Sequence, residues 1–326
     1  MMFGKIRSFL TLIRLHHLLV IAFAQYMMRY GVVQPLIRLY GFELQMSHQT
    51  FFWLVMATVL TAAAGHAINN YFDVRTDTIN RPGSVVVGKS ISRRGAMLTH
   101  ILLCVSGILI GGYVTWRAGV PKLAVLFILA ATVLWLYPFI YKRQFLTGNL
   151  MIALLTALIP LSVLLDIPLL NVTYREQLLD AHNNLNLVSA WVLCFAVFTF
   201  LAALSRSIIK DNEDFEGDSA YGCRSIIIVL GVKAAKRTII GINALMTIAL
   251  GVAFRLFLNH NLGGQFDYLT FFHFLLLLVA PLFWTCFKVY RAKTADDYRL
   301  TASWMTWVMI GGITYGAVVY YNLTYF

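Results

Sequence analysis

The sequence predicts an all-α, polytopic membrane protein: nine transmembrane helices in a bundle built from two four-helix halves plus one further helix. Three observations carry that expectation. Hydrophobic residues make up 60% of the 326-residue chain and charged residues only 12%, about half the roughly 25% of a soluble domain. About nine apolar stretches approach the roughly 20 residues that a spanning helix needs. The basic residues, finally, fall on alternate sides of those stretches.

The first stretch, 15–34, follows Lys5, Arg7 and Arg14. Ala22-Phe23-Ala24 has the form of a signal cleavage site, but it lies inside the apolar run rather than after it, so the first helix is expected to be retained. The second stretch, 51–68, runs into the polar segment 69–77. The third and fourth, 96–115 and 120–137, are joined by a short link at 117–122 and predict a tight helical hairpin. The fifth, 148–167, begins at Gly148-Asn149. The sixth, 187–208, runs into a second polar segment, 210–218. The seventh to ninth are 235–258, 268–288 and 303–322. Gly and Pro inside these runs are compatible with spanning helices in a bundle. Because the second and sixth runs each end in a carboxylate-rich segment, 1–142 and 143–290 read as two copies of one unit, with 303–322 added, all in a single domain. Loops 78–94 and 219–236 are long enough to order over a site between the halves. The polar stretch 171–186 carries no readable motif.

A net charge of +12 could suggest nucleic acid, but its placement gives a better account. With the N-terminus inside, one side keeps only Arg29, Arg38, Arg117, Lys122, Arg175 and Arg255, leaving 26 − 6 = 20 Lys and Arg on the other. That bias orients the N-terminus and both acidic segments to the cytoplasm and the C-terminus outside, with a bacterial inner (cell) membrane as the expected location. Basic loops also suit anionic membrane lipids. No nucleic acid and no obligate protein partner are expected. Cys104, Cys194, Cys223 and Cys286 are scattered without metal-ligand spacing, which excludes a zinc site or a disulfide framework as the reading.

The chemistry resides in the two polar segments, NNYFDVRTD at 69–77 and KDNEDFEGD at 210–218. Asn69, Asp73 and Asp77 are spaced i, i+4, i+8; Asp211, Asp214 and Asp218 follow i, i+3, i+7. On helices each set shares one face. Carboxylates so near a membrane core are costly unless paired or metal-bound. Two facing carboxylate rows make an oxygen site for a hard divalent cation, and Mg²⁺ in such sites bridges carboxylates to substrate phosphates. Lys210, Arg206, Lys142 and Arg143 lie at the same level and could neutralise a diphosphate. An anionic head at the membrane rim and a hydrocarbon tail between helices describe a polyprenyl diphosphate. Ionisation to an allylic cation and capture by a lipophilic acceptor would follow, with Phe72, Tyr137, Phe139, Tyr141 and Phe215 available for cation–π shielding.

These residues resemble the UbiA superfamily of intramembrane prenyltransferases. Asn69, Asp73 and Asp77 fit its first motif, N-D-x-x-D-x-x-x-D. Lys210, Asp211, Asp214, Gly217 and Asp218 fit its second, K-D-x-x-D-x-x-G-D. The resemblance implies that Asp73, Asp77, Asp211, Asp214 and Asp218 are the catalytic carboxylates and hold two Mg²⁺ that bridge the diphosphate. Asn69, Lys210, Arg206, Lys142, Arg143 and Lys89 are the expected diphosphate contacts. Segments VVVGKSIS (85–92) and GDSAYGCRSIIIVLG (217–231) look most like the geranylgeranylglycerol-phosphate geranylgeranyltransferase branch, implying transfer of a geranylgeranyl group to a lipid hydroxyl in ether-lipid synthesis. An aromatic quinone precursor is the alternative acceptor, and a secondary transporter the alternative of another class, although a transporter's ionisable groups belong near the bilayer midplane.

Four positions depart from the family pattern: His17, Asn70, Ser84 and Ser207. Ser84 stands where a cation is usual, and Lys89 is the expected compensator, with Arg81 the other candidate. A solvated helix end would account for Asp73 and Asp77 alone, but not beside a second matching cluster. Glu213 and Glu216 are expected to turn off the aspartate face. For His66 a packed core role outweighs a pocket role; His16 and His17 are balanced between anchor and substrate contact.

Overall fold

Lipid offers no partner to backbone N–H and C=O groups, so each apolar run must close its own hydrogen bonds as a helix. The structure, a computed structural model, describes residues 2–180 and 185–325. Among them the only extended pairings are two isolated bridges, Val87 with Ile91 and His260 with Phe266. In chain order the helices are α1 (Met2–Leu12), α2 (Leu15–Leu39), α3 (His48–Phe72), α4 (Val74–Asn80), α5 (Arg93–Arg117), α6 (Pro121–Leu136) and α7 (Thr147–Thr173). They continue with α8 (Arg175–Asp180), α9 (Asn186–Glu213), α10 (Phe215–Ala220), α11 (Ile226–Leu258), α12 (Tyr268–Arg291) and α13 (Ala295–Tyr325). Serine side chains start two of them: Ser47 accepts from the Thr50 N–H at 3.1 Å and Ser92 from the Gly95 N–H at 3.0 Å.

The chain is a polytopic α-helical membrane protein. Among the described residues seven helices, α3, α5, α7, α9, α11, α12 and α13, are long and apolar enough to cross a bilayer. The first and fourth expected spans differ from that pattern. The α1–α2 pair counts as an eighth span only as a unit bent by 55°. The bend falls at Arg14, whose backbone is left-handed (φ 51°, ψ 57°). Helix α6 is apolar but shorter than the others.

α3 lies against α2, α5 and α6, and α9 against α7, α11 and α13; α13 also touches α2 and α12. Small residues permit the close approaches, as expected where lipid supplies no hydrophobic drive between helices. A Cβ on Gly31 of α2 would stand 2.7 Å from the Gly316 carbonyl oxygen of α13. Outward positions such as Leu109, Phe257 and Phe283 are large, apolar and exposed, the surface a bilayer covers.

The polar segments do not continue the long helices straight. α3 ends at Phe72 and α4 begins at Val74; α9 ends at Glu213 and α10 begins at Phe215. The intervening residues, Asp73 (φ −78°, ψ 2°) and Asp214 (φ −90°, ψ 9°), form the same break in both places. The stretch 171–186 is described as the end of α7, helix α8 and the start of α9, with 181–184 outside the described residues.

Candidate active site

Helices α4 and α10 pack on each other and bring the two acidic segments together. The contact is made by Asn80 and Gly217. The Gly217 N–H donates to Asn80 Oδ1 at 2.8 Å, and Asn80 Nδ2 donates to the Asp214 carbonyl at 3.1 Å. A Cβ on Gly217 would lie 2.6 Å from Asn80 Nδ2 and 2.8 Å from the Thr76 carbonyl oxygen, so the motif's glycine is a packing requirement.

Lys142, in the short turn Tyr141–Arg143 after α6, bridges the segments. Its Nζ donates to Asp73 Oδ1 at 2.9 Å and lies 3.6 Å from Asp218 Oδ1. Burial alone would lower its pKa, but the Asp73 and Asp218 carboxylates outweigh burial and hold it well above the usual lysine range. Arg81 makes the second bridge, to Asp214, with its Nε 3.4 Å from Glu213. Burial would raise the Asp214 pKa, yet Lys210 and Arg81 hold it below the ordinary carboxylate value. Asp77 is pushed up by burial and by Asp73, and Asp218 by burial and by Asp214 and Asp73 against the pull of Lys142. Asn69 Nδ2 donates to Asp73 Oδ2 at 2.6 Å. Asn149, at the start of α7, donates to Asp211 Oδ2 at 2.8 Å and to Ser207 Oγ at 2.9 Å.

The acidic bank opens on a cavity of about 540 Å³ that runs along the bundle. Asn69, Asp73, Asp77, Lys142, Arg206, Lys210, Asp211 and Asp214 line its polar end. Its shaft is apolar, with Ile21, Phe127, Leu134, Ile159, Phe198 and Ile313 on its walls. Asp218 is buried behind Lys142 rather than on the wall.

Several expectations need correction. Arg143 is exposed and does not line the cavity. Lys89 is also exposed and donates to the Pro82 carbonyl at 3.0 Å, away from the cavity, because its loop folds back on itself. Arg81 is the cation that reaches the bank, while Ser84 only donates to the Arg81 carbonyl at 2.9 Å. Of the five aromatics, Tyr137 lines the cavity; Phe72, Phe139, Tyr141 and Phe215 do not, and Phe72 instead contacts Phe139 with ring centroids 5.4 Å apart. Glu216 is exposed, as expected, but Glu213 is buried. It receives Lys210 Nζ at 3.1 Å and Arg299 Nε at 3.0 Å beside Arg81, anchoring three cations. Its position was hidden because its partner Arg299 lies 86 residues away. Arg14 is a cavity residue that sequence reasoning did not single out as a site, because it reads there only as a basic residue before the first apolar run. His17 and His66 both line the cavity.

Among the described residues no three His, Cys, Asp or Glu side chains converge on one metal position. Mg²⁺ is commonly held by one or two carboxylates, with substrate phosphates and water completing its shell. The buried oxygen Asn69 Oδ1 has no hydrogen-bond partner, and a buried acceptor left so is costly unless a cation or donor meets it, whereas Asp218 Oδ1 faces the Lys142 ammonium at 3.6 Å. The all-oxygen donor set suits a hard divalent ion.

Residues 18–310 match the UbiA prenyltransferase family. Digeranylgeranylglyceryl phosphate synthase of Methanoregula boonei is 34% identical over 183 residues, 55% of this chain and 57% of that protein. The enzyme of the same name from Pyrococcus horikoshii is 29% identical over 203 residues, 62% of this chain and 65% of that protein. The chain thus matches less than two thirds of the length of either. A solved structure of a UbiA homolog from Archaeoglobus fulgidus bound to GPP and Mg²⁺ superposes with a TM-score of 0.56 at 16% identity, covering 96% of this chain and 99% of that one. A structure described for digeranylgeranylglyceryl phosphate synthase in membranes gives a TM-score of 0.58 at 17% identity, over 97% and 99%. At such identities the likeness shows the fold.

Proposed function

We propose that this chain, which belongs to the UbiA prenyltransferase family, transfers a polyprenyl group, geranylgeranyl in our reading, from its diphosphate to the hydroxyl of a geranylgeranylglycerol-phosphate-type lipid. The observation that carries this reading is Lys142, half-buried between Asp73 and Asp218 where the acidic bank meets an apolar cavity. Cations and carboxylates interleaved at the end of a hydrocarbon slot suit a ligand with a polyanionic head and an apolar tail. The relatives' names and the ligands of the Archaeoglobus homolog support the substrate class.

Asp73, Asp77, Asp211, Asp214 and Asp218 would hold Mg²⁺, two ions in our reading, which when bound neutralises the leaving diphosphate. Lys142, Arg81 and Lys210 offset the remaining charge as the bond from the prenyl carbon to oxygen breaks. Asn69 and Asn149 fix Asp73 and Asp211, and the apolar shaft excludes water from the allylic cation. The acceptor hydroxyl then attacks the prenyl carbon, and its proton passes to the released diphosphate. The nine-span count, with α1–α2 as one bent span and α6 as a short one, is part of the reading. So are the two halves, supported by the matching breaks at Asp73 and Asp214. The positive-inside bias supports a cytoplasmic N-terminus and active site in the cell membrane.

The test is to incubate the purified protein with labelled geranylgeranyl diphosphate and a panel of lipid and aromatic acceptors. Product should form on the phosphorylated glyceryl ether, require Mg²⁺ and stop with chelator. Full turnover in excess EDTA would overturn the metal reading. Product on aromatic acids alone would overturn the acceptor, and solute flux without prenyl transfer would point to a transporter.

A further inference from the structure

The cavity has a second polar corner that the acidic bank does not account for. Arg14 from the α1–α2 bend, His17 of α2, His66 of α3 and Arg206 of α9 all line it. The His17 and His66 rings are 5.7 Å apart. Both guanidiniums reach the same cavity, one from the bend and one from α9. Among the described residues the Arg14 guanidinium has no hydrogen bond or ion pair, and Arg206 uses Nε on Thr306 Oγ1 at 2.9 Å but pairs with no carboxylate. The nearby carboxylates are committed elsewhere: Asp73 to Lys142, Asp214 to Arg81, Asp211 to Asn149, and Glu213 to Arg81, Lys210 and Arg299.

Two half-buried guanidiniums without a close ion-pair partner carry a desolvation cost in a low-dielectric cavity, which Glu213 offsets for Arg206 only from a distance, and an anion lowers that cost. Arg14 is also held in a left-handed conformation that a non-glycine residue rarely adopts. Strain of that kind persists where the surroundings over-determine it, commonly at ligand sites. Guanidinium forks match phosphate oxygens bidentately, and imidazole N–H groups add donors.

We infer that Arg14, Arg206, His17 and His66 form a metal-free subsite for the phosphate monoester of the acceptor lipid, separate from the carboxylate bank that takes the diphosphate. The subsite rests on the acceptor reading above and assigns Arg206 to the acceptor rather than to the leaving group. It discriminates against acceptors without a phosphate, because the paired guanidiniums would then stay uncompensated.

The experiment uses the full chain in detergent, with Arg14→Gln, Arg206→Gln and the charge-retaining Arg206→Lys. Steady-state kinetics are measured with geranylgeranyl diphosphate, Mg²⁺, and either geranylgeranylglyceryl phosphate or its phosphate-free alcohol. Each Gln variant should raise the KM for the phosphorylated acceptor about tenfold, leave the KM for the diphosphate within twofold, and narrow the preference over the alcohol. Arg206→Lys should recover part of the loss. A rise in the diphosphate KM with the acceptor KM unchanged overturns the proposal, as does equal wild-type turnover of the two acceptors. Binding of labelled geranylgeranylglyceryl phosphate in EDTA gives an independent readout. Wild type should bind and Arg206→Gln should bind about tenfold more weakly, and equal binding overturns the subsite. If wild type prenylates only aromatic acids, the acceptor reading fails, and the subsite then stands or falls on the EDTA measurement.

Discussion

Two buried ion-pair systems tie distant parts of this chain together, and they differ in what they leave open. Arg29 on α2 and Asp166 on α7 meet at 3.1 Å, each only 1% exposed. Asp166 also accepts the Met46 N–H at 2.7 Å, Arg29 donates to the Met46 carbonyl, and its guanidinium sits 4.4 Å over the Phe51 ring. Neither side chain lines the main cavity. The Lys142–Asp73 and Arg81–Asp214 pairs are 10–23% exposed and sit on the cavity wall. The first system is held by backbone and ring, borders a smaller cavity of about 270 Å³ rather than the main one, and ties helices together. The second is held from behind and faced by space, so its charges can act on a ligand.

The comparison predicts opposite responses to similar substitutions. Asp73→Ala or Asp214→Ala should lower prenyl transfer by about 10³-fold or more, the upper range for removal of a charge-stabilising group. Size-exclusion profiles in detergent should remain those of the wild type. Arg29→Met leaves Asp166 buried and uncompensated and should cost about 3–5 kcal/mol of stability, read as a lowered Tm, with kcat/KM per folded molecule within twofold. Arg29→Met combined with Asp166→Leu should recover most of that loss. An Arg29 variant that stays stable but loses activity would break the comparison.

A smaller effect is expected at Gly217. Its Ala variant must push α10 off Asn80 and Thr76, displacing Asp214 and Asp218 together. Misplacement of about 1 Å can cost about 10²-fold, so a loss of tenfold to 10²-fold in kcat is expected from steady-state rates. The smallest effects should come from Lys89→Ala and Glu216→Ala, both exposed, each within twofold of wild type in single-turnover rate. Arg81→Ala, by contrast, should be severe, because it removes the ion-pair partner of Asp214 and one of the three cations around Glu213. If Lys89→Ala were the damaging change, the loop 78–94 would have to close over the cavity in the working enzyme.

The sequence alone determined the parts of this protein that depend on local repetition. Apolar runs of bilayer length became helices because lipid leaves the backbone no other way to satisfy itself. Aspartates at i, i+4 and i, i+3, i+7 marked the two site segments, and Asn69, Lys142, Lys210 and Arg206 were legible as their polar neighbours. Tertiary structure decided which charges meet. Lys142 and Asp73 are 69 residues apart, Arg81 and Asp214 are 133 apart, and no periodicity links positions so far separated. It also decided that Glu213 turns inward, that Lys89 and Arg143 stay outside, and that Arg14 enters the cavity through a left-handed residue. A basic side chain near a helix end looks the same in sequence whether it anchors to lipid or closes on a carboxylate. Only the packing of α4 on α10, with Gly217 at the contact, selects between the two.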